Sequence, residues 1–340
     1  MRAIVATGPR NSTDPACFEE RKLPEPEPGP HDLLVAVEAV AVNPVDTKVR
    51  LSLPATGEVA RVLGWDMAGT VLAMGEAVRG FAVGDRVWGA GDIGRPGANA
   101  ERLAVDARLC SRRPTRLTTA EAAALPLTAL TAWESLFDRL RLDSDGRDAG
   151  RSLLILGGAG GVGSITIQLA RAAGLRVIAS ASRPESRAWV LEMGAEQVVD
   201  HRQPLAAQLQ ALGLDQVDAI ANFSDTDAYW EQMAELVRPH GSLLVIVGNR
   251  GPLAMERLKQ KSVRLCWEFM FSRSSAGGDG QLAQGRILDR LAALVEAGEI
   301  RTTLRRTLGP ISAANLSAAH ALLADGHTIG KIALEGWPQR

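Results

Sequence analysis

The strongest chemical signal in the sequence is a run of glycines, Gly157-Gly158-Ala159-Gly160-Gly161-Val162-Gly163. The apolar segment Leu153-Leu154-Ile155-Leu156 precedes it, and Ile165-Thr166-Ile167-Gln168-Leu169-Ala170 follows. A bare G-x-G-x-x-G is weak evidence, but between a strand and a helix it has the context of a dinucleotide site. The glycines let the backbone turn sharply and approach a pyrophosphate, and the helix N-terminus offers free N–H groups and a favourable dipole. The alternative is a tight turn with no ligand. Five glycines in seven residues would then weaken the fold for no structural return. Gly157, Gly160, Gly161, Val162 and Gly163 are therefore candidate cofactor contacts.

The end of the next strand distinguishes the two nicotinamide dinucleotides. A NAD site usually carries Asp or Glu about 20 residues after the glycines, on the ribose 2′-hydroxyl. Here the position reads Ala179-Ser180-Ala181-Ser182-Arg183, with no acid, and Arg187 follows. Small hydroxyls and guanidinium groups suit a 2′-phosphate, which a carboxylate would repel. The expected cofactor is NADPH, with Ser180, Ser182, Arg183 and Arg187 as candidate contacts. The bland reading of both arginines is solvation of a helix start. Asn222-Phe223-Ser224 and Gly248-Asn249 fall at carboxyl ends of expected sheet strands, where doubly wound folds bind ligands. Asn222, Ser224, Gly248 and Asn249 join the cofactor candidates on that ground. His201 follows the third strand and is either at the adenosine end or a solvated loop residue.

Other chemistries are excluded. The chain has no G-x-S-x-G nucleophile elbow and no G-x-x-x-x-G-K-[ST] phosphate loop. Tyr229 is the only tyrosine and Met233 lies four residues after it, so there is no Tyr-x-x-x-Lys proton relay. None of Cys17, Cys110 and Cys266 has a second Cys or a His at ligand spacing; each reads as a small buried apolar residue. Three cysteines make no disulfide framework, so a reducing cytoplasm is the expected location. With 38 Lys+Arg against 39 Asp+Glu, no general field draws nucleic acid or an anionic membrane. The uncharged stretch 152–170 is long enough to raise the question of a membrane span, but its central glycines and Gln168 read as strand, turn and buried helix. Met1-Arg2 leads into a short strand, then Gly8, Pro9 and charge, which is not a signal peptide.

A length of 340 residues suggests about two domains. The first third reads as β: a long apolar strand at 33–42 and shorter ones at 69–74 and 86–88, with Gly and Pro at the short spacing of a small barrel. Thr118 and Glu121 have capping-box spacing, Pro126 interrupts the helix they start, and a second helix is expected over about 128–140. From Ser152 the pattern changes. Strands at 152–156, 176–179, 197–199, 219–221 and 242–247 alternate with helices at 162–173, 184–193, 205–212 and 227–237. This predicts a parallel sheet covered on both faces. A strand at 263–267 ends the sheet, helices follow near 281–297 and 313–324, and a strand at 331–334 closes the chain.

These residues resemble the medium-chain dehydrogenase/reductase superfamily. The similarity is closest to its zinc-independent quinone oxidoreductase branch, in the subgroup often labelled "zinc-type alcohol dehydrogenase-like". It covers nearly the whole chain. Its markers are Val42-Asn43-Pro44-Val45-Asp46-Thr47-Lys48, Leu63-Gly64-Trp65-Asp66-Met67-Ala68-Gly69, Val83-Gly84-Asp85-Arg86-Val87, the segment 125–134, the glycine loop, Trp267-Glu268-Phe269-Met270-Phe271 and Gly330-Lys331-Ile332. The resemblance implies an α/β protein: a GroES-like β-barrel catalytic domain plus a Rossmann doubly wound parallel sheet. The implied domains are 1–125 and 271–340 for the catalytic part and 126–270 for the Rossmann part, with the active site in the cleft between them.

The resemblance also implies site residues. Zinc-dependent relatives hold catalytic zinc with a Cys and a His at positions occupied here by Asn43 and Trp65, neither a thiolate nor an imidazole. The four-Cys structural lobe is absent as well. No metal is expected. Without zinc or an active-site tyrosine, reduction of a plain carbonyl is poorly supported, whereas a quinone or an activated C=C accepts hydride on an electron-poor carbon. Asn43 and Asp46 follow the long strand near the implied cleft. Asn43 is either a substrate or ribose contact or an Asn-Pro turn with an Asx cap. Trp65 and Asp66 form a cleft wall or pin a barrel loop. Thr131 resembles the threonine that faces the nicotinamide, or is a hydroxyl bonded to its own helix. Trp88-Gly89-Ala90 and Gly97-Ala98-Asn99-Ala100-Glu101 stand where relatives often carry tyrosines, so no phenol is available there. The expected activity is NADPH-dependent reduction of quinones or α,β-unsaturated carbonyls. The rivals are an NADPH-binding protein with little turnover and a zinc alcohol dehydrogenase. Ser262-Val263-Arg264-Leu265-Cys266-Trp267 is a poorly guarded edge strand, from which a homodimer is expected.

Overall fold

The computed structural model describes residues 1–11, 14–54 and 60–339. The chain divides into two compact units, Met1–Leu130 with Phe271–Arg340, and Thr131–Met270. In the first unit lie β1 (Arg2–Ala6), β2 (Phe18–Lys22), β3 (Asp32–Ala41), α1 (Pro44–Ser52), β4 (Arg61–Val62), β5 (Asp66–Met74), β6 (Arg86–Ala90), β7 (Arg102–Asp106), β8 (Cys110–Arg112), α2 (Thr119–Ala123) and the start of α3 (Pro126–Trp133). The capping box at Thr118 and Glu121 is present at the head of α2.

The second unit holds β9 (Ser152–Leu156), α4 (Gly161–Ala172), β10 (Arg176–Ser180), α5 (Pro184–Glu192), β11 (Gln197–Val199), α6 (Leu205–Ala211), β12 (Val217–Asn222), α7 (Thr226–Leu236), β13 (Val237–Val245), α8 (Glu256–Lys259) and β14 (Arg264–Trp267). Its six strands pair in parallel in the order β11-β10-β9-β12-β13-β14. This is the doubly wound order, and it reverses between β9 and β12. Both faces of β9 are buried, as its uninterrupted apolar sequence requires. Leu154, Ile178, Ile220, Leu243 and Trp230 are among the residues of the core on one side. On α5, Trp189 donates its indole N–H to the Ser164 hydroxyl of α4 (2.8 Å).

Two local expectations differ from what is observed. The helix expected over 128–140 is α-helical only to Trp133, and Glu134–Arg139 is π-helical. There Glu134 is wholly buried and its carboxylate lies 3.6 Å from the Arg139 guanidinium, which also pairs with the buried Glu268 at 2.8 Å. An extra backbone residue per turn is a way to place such a group, and periodicity does not reveal it. Strand β13 begins at Val237 rather than 242. Its pairing with β12 shifts register after Val217, and within the intervening segment His240 adopts φ 61°.

The first unit is completed by α9 (Phe271–Ala276), α10 (Asp279–Ala297), β15 (Leu304–Thr307), α11 (Ala313–Ala324) and β16 (Lys331–Glu335). Its larger sheet runs β15-β16-β3-β5-β6-β8, with β7 also on β3. Strand β3 is the hub, since β5, β7 and β16 all pair with it. No helix among the described residues is long and apolar enough to cross a membrane.

One buried ion pair fixes the end of this hub. Lys331, the first residue of β16, is 3% exposed, and its ammonium donates to the Val42 carbonyl (2.7 Å), the Asn43 side-chain oxygen (2.6 Å) and the Asp66 carboxylate (3.0 Å). Asp66, at the head of β5, also accepts from the Asn43 amide (2.8 Å) and from the Leu127 N–H in the first turn of α3 (2.7 Å). Removing one partner of such a pair strands a charge in an apolar interior, which costs about 3–5 kcal/mol. Lys331→Met should therefore lower the unfolding free energy by roughly that amount. Denaturant unfolding should show it, with Asp66→Asn/Lys331→Met recovering part of the loss.

Candidate functional site

The glycine loop closes β9 and opens α4. Gly157 has φ 78°, a left-handed conformation that favours glycine. Its N–H donates to the Ser180 hydroxyl at 3.0 Å, which ties the loop to the end of β10. A methyl group built on Gly163 would run into the Gly157 carbonyl and stand 2.7 Å from the Gly158 Cα, so this glycine permits the close packing of helix on strand. Gly160, the N-cap of α4, differs. It has φ −71°, and a methyl there would meet only the Gly157 oxygen at 3.5 Å. Nothing inside the protein requires glycine at 160, but a ligand that lies on the backbone would. The first N–H groups of α4, including those of Gly161 and Val162, have no acceptor within the helix. Together these features fit a pyrophosphate.

The strand ends around this loop gather most of the other candidates. At the point where strand order reverses, Phe223 donates its N–H to the Leu156 carbonyl (3.0 Å), which brings Phe223 and Ser224 against Gly157. Asn222 is fully buried and accepts from the Ser224 N–H (3.0 Å), so it shapes the turn. Gly248 has open space around its Cα, and Asn249 donates to the Gly251 carbonyl. Arg250 anchors that loop on Asp225 (2.7 Å) and Asp227 at the start of α7.

On the β10 side, Ser180 is buried under the glycine loop, whereas Ser182 and Arg183 lie in the β10–α5 turn. Arg187 directs two guanidinium nitrogens onto backbone, at the Ala181 (3.2 Å) and Val198 (3.5 Å) carbonyls. His201 is half-buried and stacks edge-on against Tyr229 at 6.5 Å; burial lowers its pKa. Arg202, which the pattern of the β10 end did not flag, donates to the Ser182 carbonyl at 2.8 Å.

In the first unit the structure brings Asn43, Asp46 and Asp66 together. Asn43 occupies the N-cap position of α1, but its side chain makes no capping hydrogen bond; its amide is engaged with Lys331 and Asp66 instead. Asp46 accepts the Asn43 N–H at 2.7 Å, while its other oxygen is buried with no hydrogen-bond partner. Burial pushes the Asp46 carboxyl up to about 7, against the opposing pull of that N–H and of Lys331. Trp65 is 1% exposed; its indole donates to the Asp92 carbonyl (2.9 Å) and its ring meets Phe271 edge-on at 5.7 Å. It pins a loop. Thr131 is buried in α3. Lys331, which completes the cluster, stands in the sequence within the marker segment Gly330-Lys331-Ile332 and was not among the candidate site residues.

Known proteins match along the chain. Residues 29–115 match the alcohol dehydrogenase GroES-like domain, and residues 193–334 match the zinc-binding dehydrogenase family. A "zinc-type alcohol dehydrogenase-like protein" of Staphylococcus epidermidis is 39% identical over 98% of this chain and 99% of its own. The 2-methylene-furan-3-one reductase of Solanum lycopersicum is 30% identical over 94% of this chain and 75% of its own. Among solved structures, a Rhizobium etli protein described as a zinc-dependent alcohol dehydrogenase has TM-score 0.94 and 45% identity, covering 100% of this chain and 99% of its own. The quinone oxidoreductase of Coxiella burnetii has TM-score 0.82 and 26% identity over 98% and 99%. A mycobacterial protein solved with NADPH has TM-score 0.82 and 27% identity over the same shares. With a GroES-like domain, a Rossmann parallel sheet and relatives of this similarity along its length, the chain belongs to the medium-chain dehydrogenase/reductase superfamily of oxidoreductases, in its quinone oxidoreductase-like branch.

Proposed function

We propose that this protein is an NADPH-dependent reductase that delivers hydride to quinones or α,β-unsaturated carbonyls without a metal ion. The observation that carries the reading is the closed cluster of Asn43, Asp66 and Lys331. Asn43 stands where the zinc-dependent relatives carry a cysteine ligand, and its amide oxygen is 2.6 Å from an ammonium. Trp65 stands at the histidine position with its only N–H on Asp92. Neither residue offers the donor that zinc takes, and a dication would meet a positive charge. These residues do not fit a catalytic zinc. Among the described residues no group of three or more His, Cys, Asp or Glu is arranged to hold a metal ion.

NADPH fits the second unit better than NADH does. No acid follows β10, and the turn beyond it presents hydroxyl and guanidinium groups. When bound, the reduced nicotinamide supplies the hydride. The chain's part is to hold the pyrophosphate on the N-terminus of α4 and the adenosine end at the termini of β10 and β11. With no metal and no phenol to polarise a plain carbonyl, acceptors that spread negative charge onto a conjugated oxygen are favoured. The reductase of Solanum lycopersicum and the quinone oxidoreductase of Coxiella burnetii are named for substrates of this kind.

The protein is further proposed to form a homodimer. Among the described residues β14 is the last strand of its sheet, so its outer edge is unpaired. Trp267 and Phe269 beside that edge are 48% and 53% exposed. A twofold axis would satisfy both edges at once.

Four outcomes are expected. NADPH should bind about ten-fold or more tightly than NADH, the scale of a charge-assisted contact. Gly160→Ala should weaken both dinucleotides while leaving the melting temperature unchanged, whereas Gly163→Ala should cost roughly 1–3 kcal/mol of stability by overpacking. Tryptophan-fluorescence titration and thermal melts separate these effects, and tighter binding of NADH would overturn the cofactor assignment. In a stopped-flow scan, NADPH oxidation by quinones and enones should survive exhaustive chelation. Loss of activity on chelation and its return with zinc would sink the metal-free reading, and no oxidation of NADPH by any acceptor would leave a binding protein. Light scattering should give twice the mass of one chain at micromolar concentration. The edge strand begins at Arg264, since the Val263 N–H expected in it donates instead to the Leu258 carbonyl (3.0 Å), so the test is Trp267→Glu, which puts a charge on the exposed edge and should shift the mass toward one chain.

A further inference from the structure

Two strand ends lie side by side at the proposed adenosine end of the site. Ser180 of β10 is in register with Val199 of β11, and the Ala181 N–H donates to the Val199 carbonyl (2.9 Å). The turns that follow, Ala181-Ser182-Arg183 and Asp200-His201-Arg202, are therefore neighbours. Three arginines stand near this place, and the structure gives them different tasks. Arg187 points at the Ala181 and Val198 carbonyls and so braces the strand ends from beneath. Arg183 sits at the N-cap of α5. Arg202 is paired with Asp200 and has 59% of its side chain accessible.

Arg202 is exposed yet held. Its Nε and Nη2 donate to the two Asp200 carboxylate oxygens at 3.1 and 2.9 Å, and Nη2 also reaches the Ser182 carbonyl at 2.8 Å. Asp200 is itself fixed. It accepts the Arg202 N–H (2.9 Å), and its backbone exchanges hydrogen bonds with the Gln208 side-chain amide (2.7 and 2.9 Å). A guanidinium fork gripped along its Nε–Nη2 edge keeps Nη1 for another acceptor. A surface arginine normally loses side-chain freedom when it takes a ligand; here that ordering has already been made within the protein.

We propose that Arg202, and not Arg187, recognises the 2′-phosphate of the dinucleotide, with Asp200 as the positioning residue that aims its guanidinium across the β10–α5 turn. This rests on the NADPH reading given above. The chemistry required is a phosphate ester on the adenosine ribose, with the Ser182 hydroxyl and Arg183 as neighbours of the same anion. Asp200 presents its carboxylate to one edge of the guanidinium and leaves the Nη1 edge to the phosphate, so the pair works as an oriented donor rather than as a free positive charge.

The test is a table of dissociation constants, measured by titration calorimetry without any substrate, for NADPH, NADH, 2′,5′-ADP and 5′-AMP. Arg202→Ala should weaken NADPH and 2′,5′-ADP about ten-fold and leave NADH and 5′-AMP within about two-fold. Arg187→Ala should lower the melting temperature and affect phosphorylated and unphosphorylated ligands alike. Because Arg202→Ala leaves the Asp200 carboxylate unpaired and able to repel a phosphate, Asp200→Asn/Arg202→Ala is the control, and it should regain no more than that repulsion, staying well below the wild type for NADPH. Full recovery in the double variant would overturn the direct contact, as would an Arg202→Ala protein that keeps the wild-type preference or loses all four ligands equally. A wild type with no preference for NADPH overturns the cofactor reading and this inference together. A wild type that prefers NADPH beside an unaffected Arg202→Ala protein overturns this inference alone.

Discussion

A lysine ammonium taken out of water is tolerable only where each of its three N–H bonds finds an acceptor and its charge finds an opposite one. Lys331 meets both conditions through groups far away in the sequence: the Val42 carbonyl, the Asn43 amide and the Asp66 carboxylate. The arrangement has only one workable register. Shifting β16 against β3 by a residue would turn the ammonium to the other face and leave Asp66 buried without a cation. Desolvation offsets much of the Coulomb attraction, so the pair contributes more to specifying the arrangement than to net stability. It joins the end of β3, the head of β5, the N-terminus of α1, the first turn of α3 and the closing strand, and the placement of Asn43, Asp46 and Asp66 follows from it.

The other unit is organised by backbone shape. A parallel sheet buried on both faces fixes the carboxyl ends of β9 and β12, and the reversal of strand order leaves a crevice there. The glycines then divide into distinct tasks. Gly157 supplies a left-handed turn, and Gly163 allows α4 to pack on the loop. Gly160 serves neither purpose inside the protein, since an alanine would fit in ordinary contact. A position that the fold leaves free and the sequence nevertheless gives to glycine points to what lies outside the chain.

Much of this was legible in advance because its cause is local. Periodicity and the glycine loop mark β9, α4, α5 and β11 to within a residue or so, and a Thr-x-x-Glu cap marks α2. The acid-free end of β10 is likewise a property of one short segment. What was not legible depends on pairs distant in sequence. Lys331 falls in a segment that marks the family resemblance, but its buried partners appear only when β16 is set beside β3, and Arg202 reads as a loop cation until β11 is set beside β10. Arg187 is the converse case. Its spacing suggests a phosphate contact, and only the tertiary structure shows that Nη1 and Nη2 each have a backbone acceptor, the Ala181 and Val198 carbonyls. The π-helical turn at Glu134–Arg139 escaped for the same reason, because it accommodates a carboxylate whose partner Arg139 is shared with Glu268 on a separate segment.

The charge count of the buried cluster bears on its chemistry. Lys331 and Asp66 cancel, and Asp46, whose carboxyl burial holds up at about 7, is largely neutral in mildly acidic solution. Ionised Asp46 would add a negative charge that nothing else in the cluster balances, and the folded state resists this. The unfolded carboxyl ionises near 3.8, so Asp46 favours folding fully below that value, and its contribution is lost as the pH rises toward about 7. Below about pH 7 the cluster thus carries a single cation and a single anion. A divalent ion would bring two further positive charges beside an ammonium and find no thiolate or imidazole at Asn43 or Trp65. On the metal-free reading, the cation that organises this part of the fold is supplied by the chain itself, as a lysine whose three donors are already occupied.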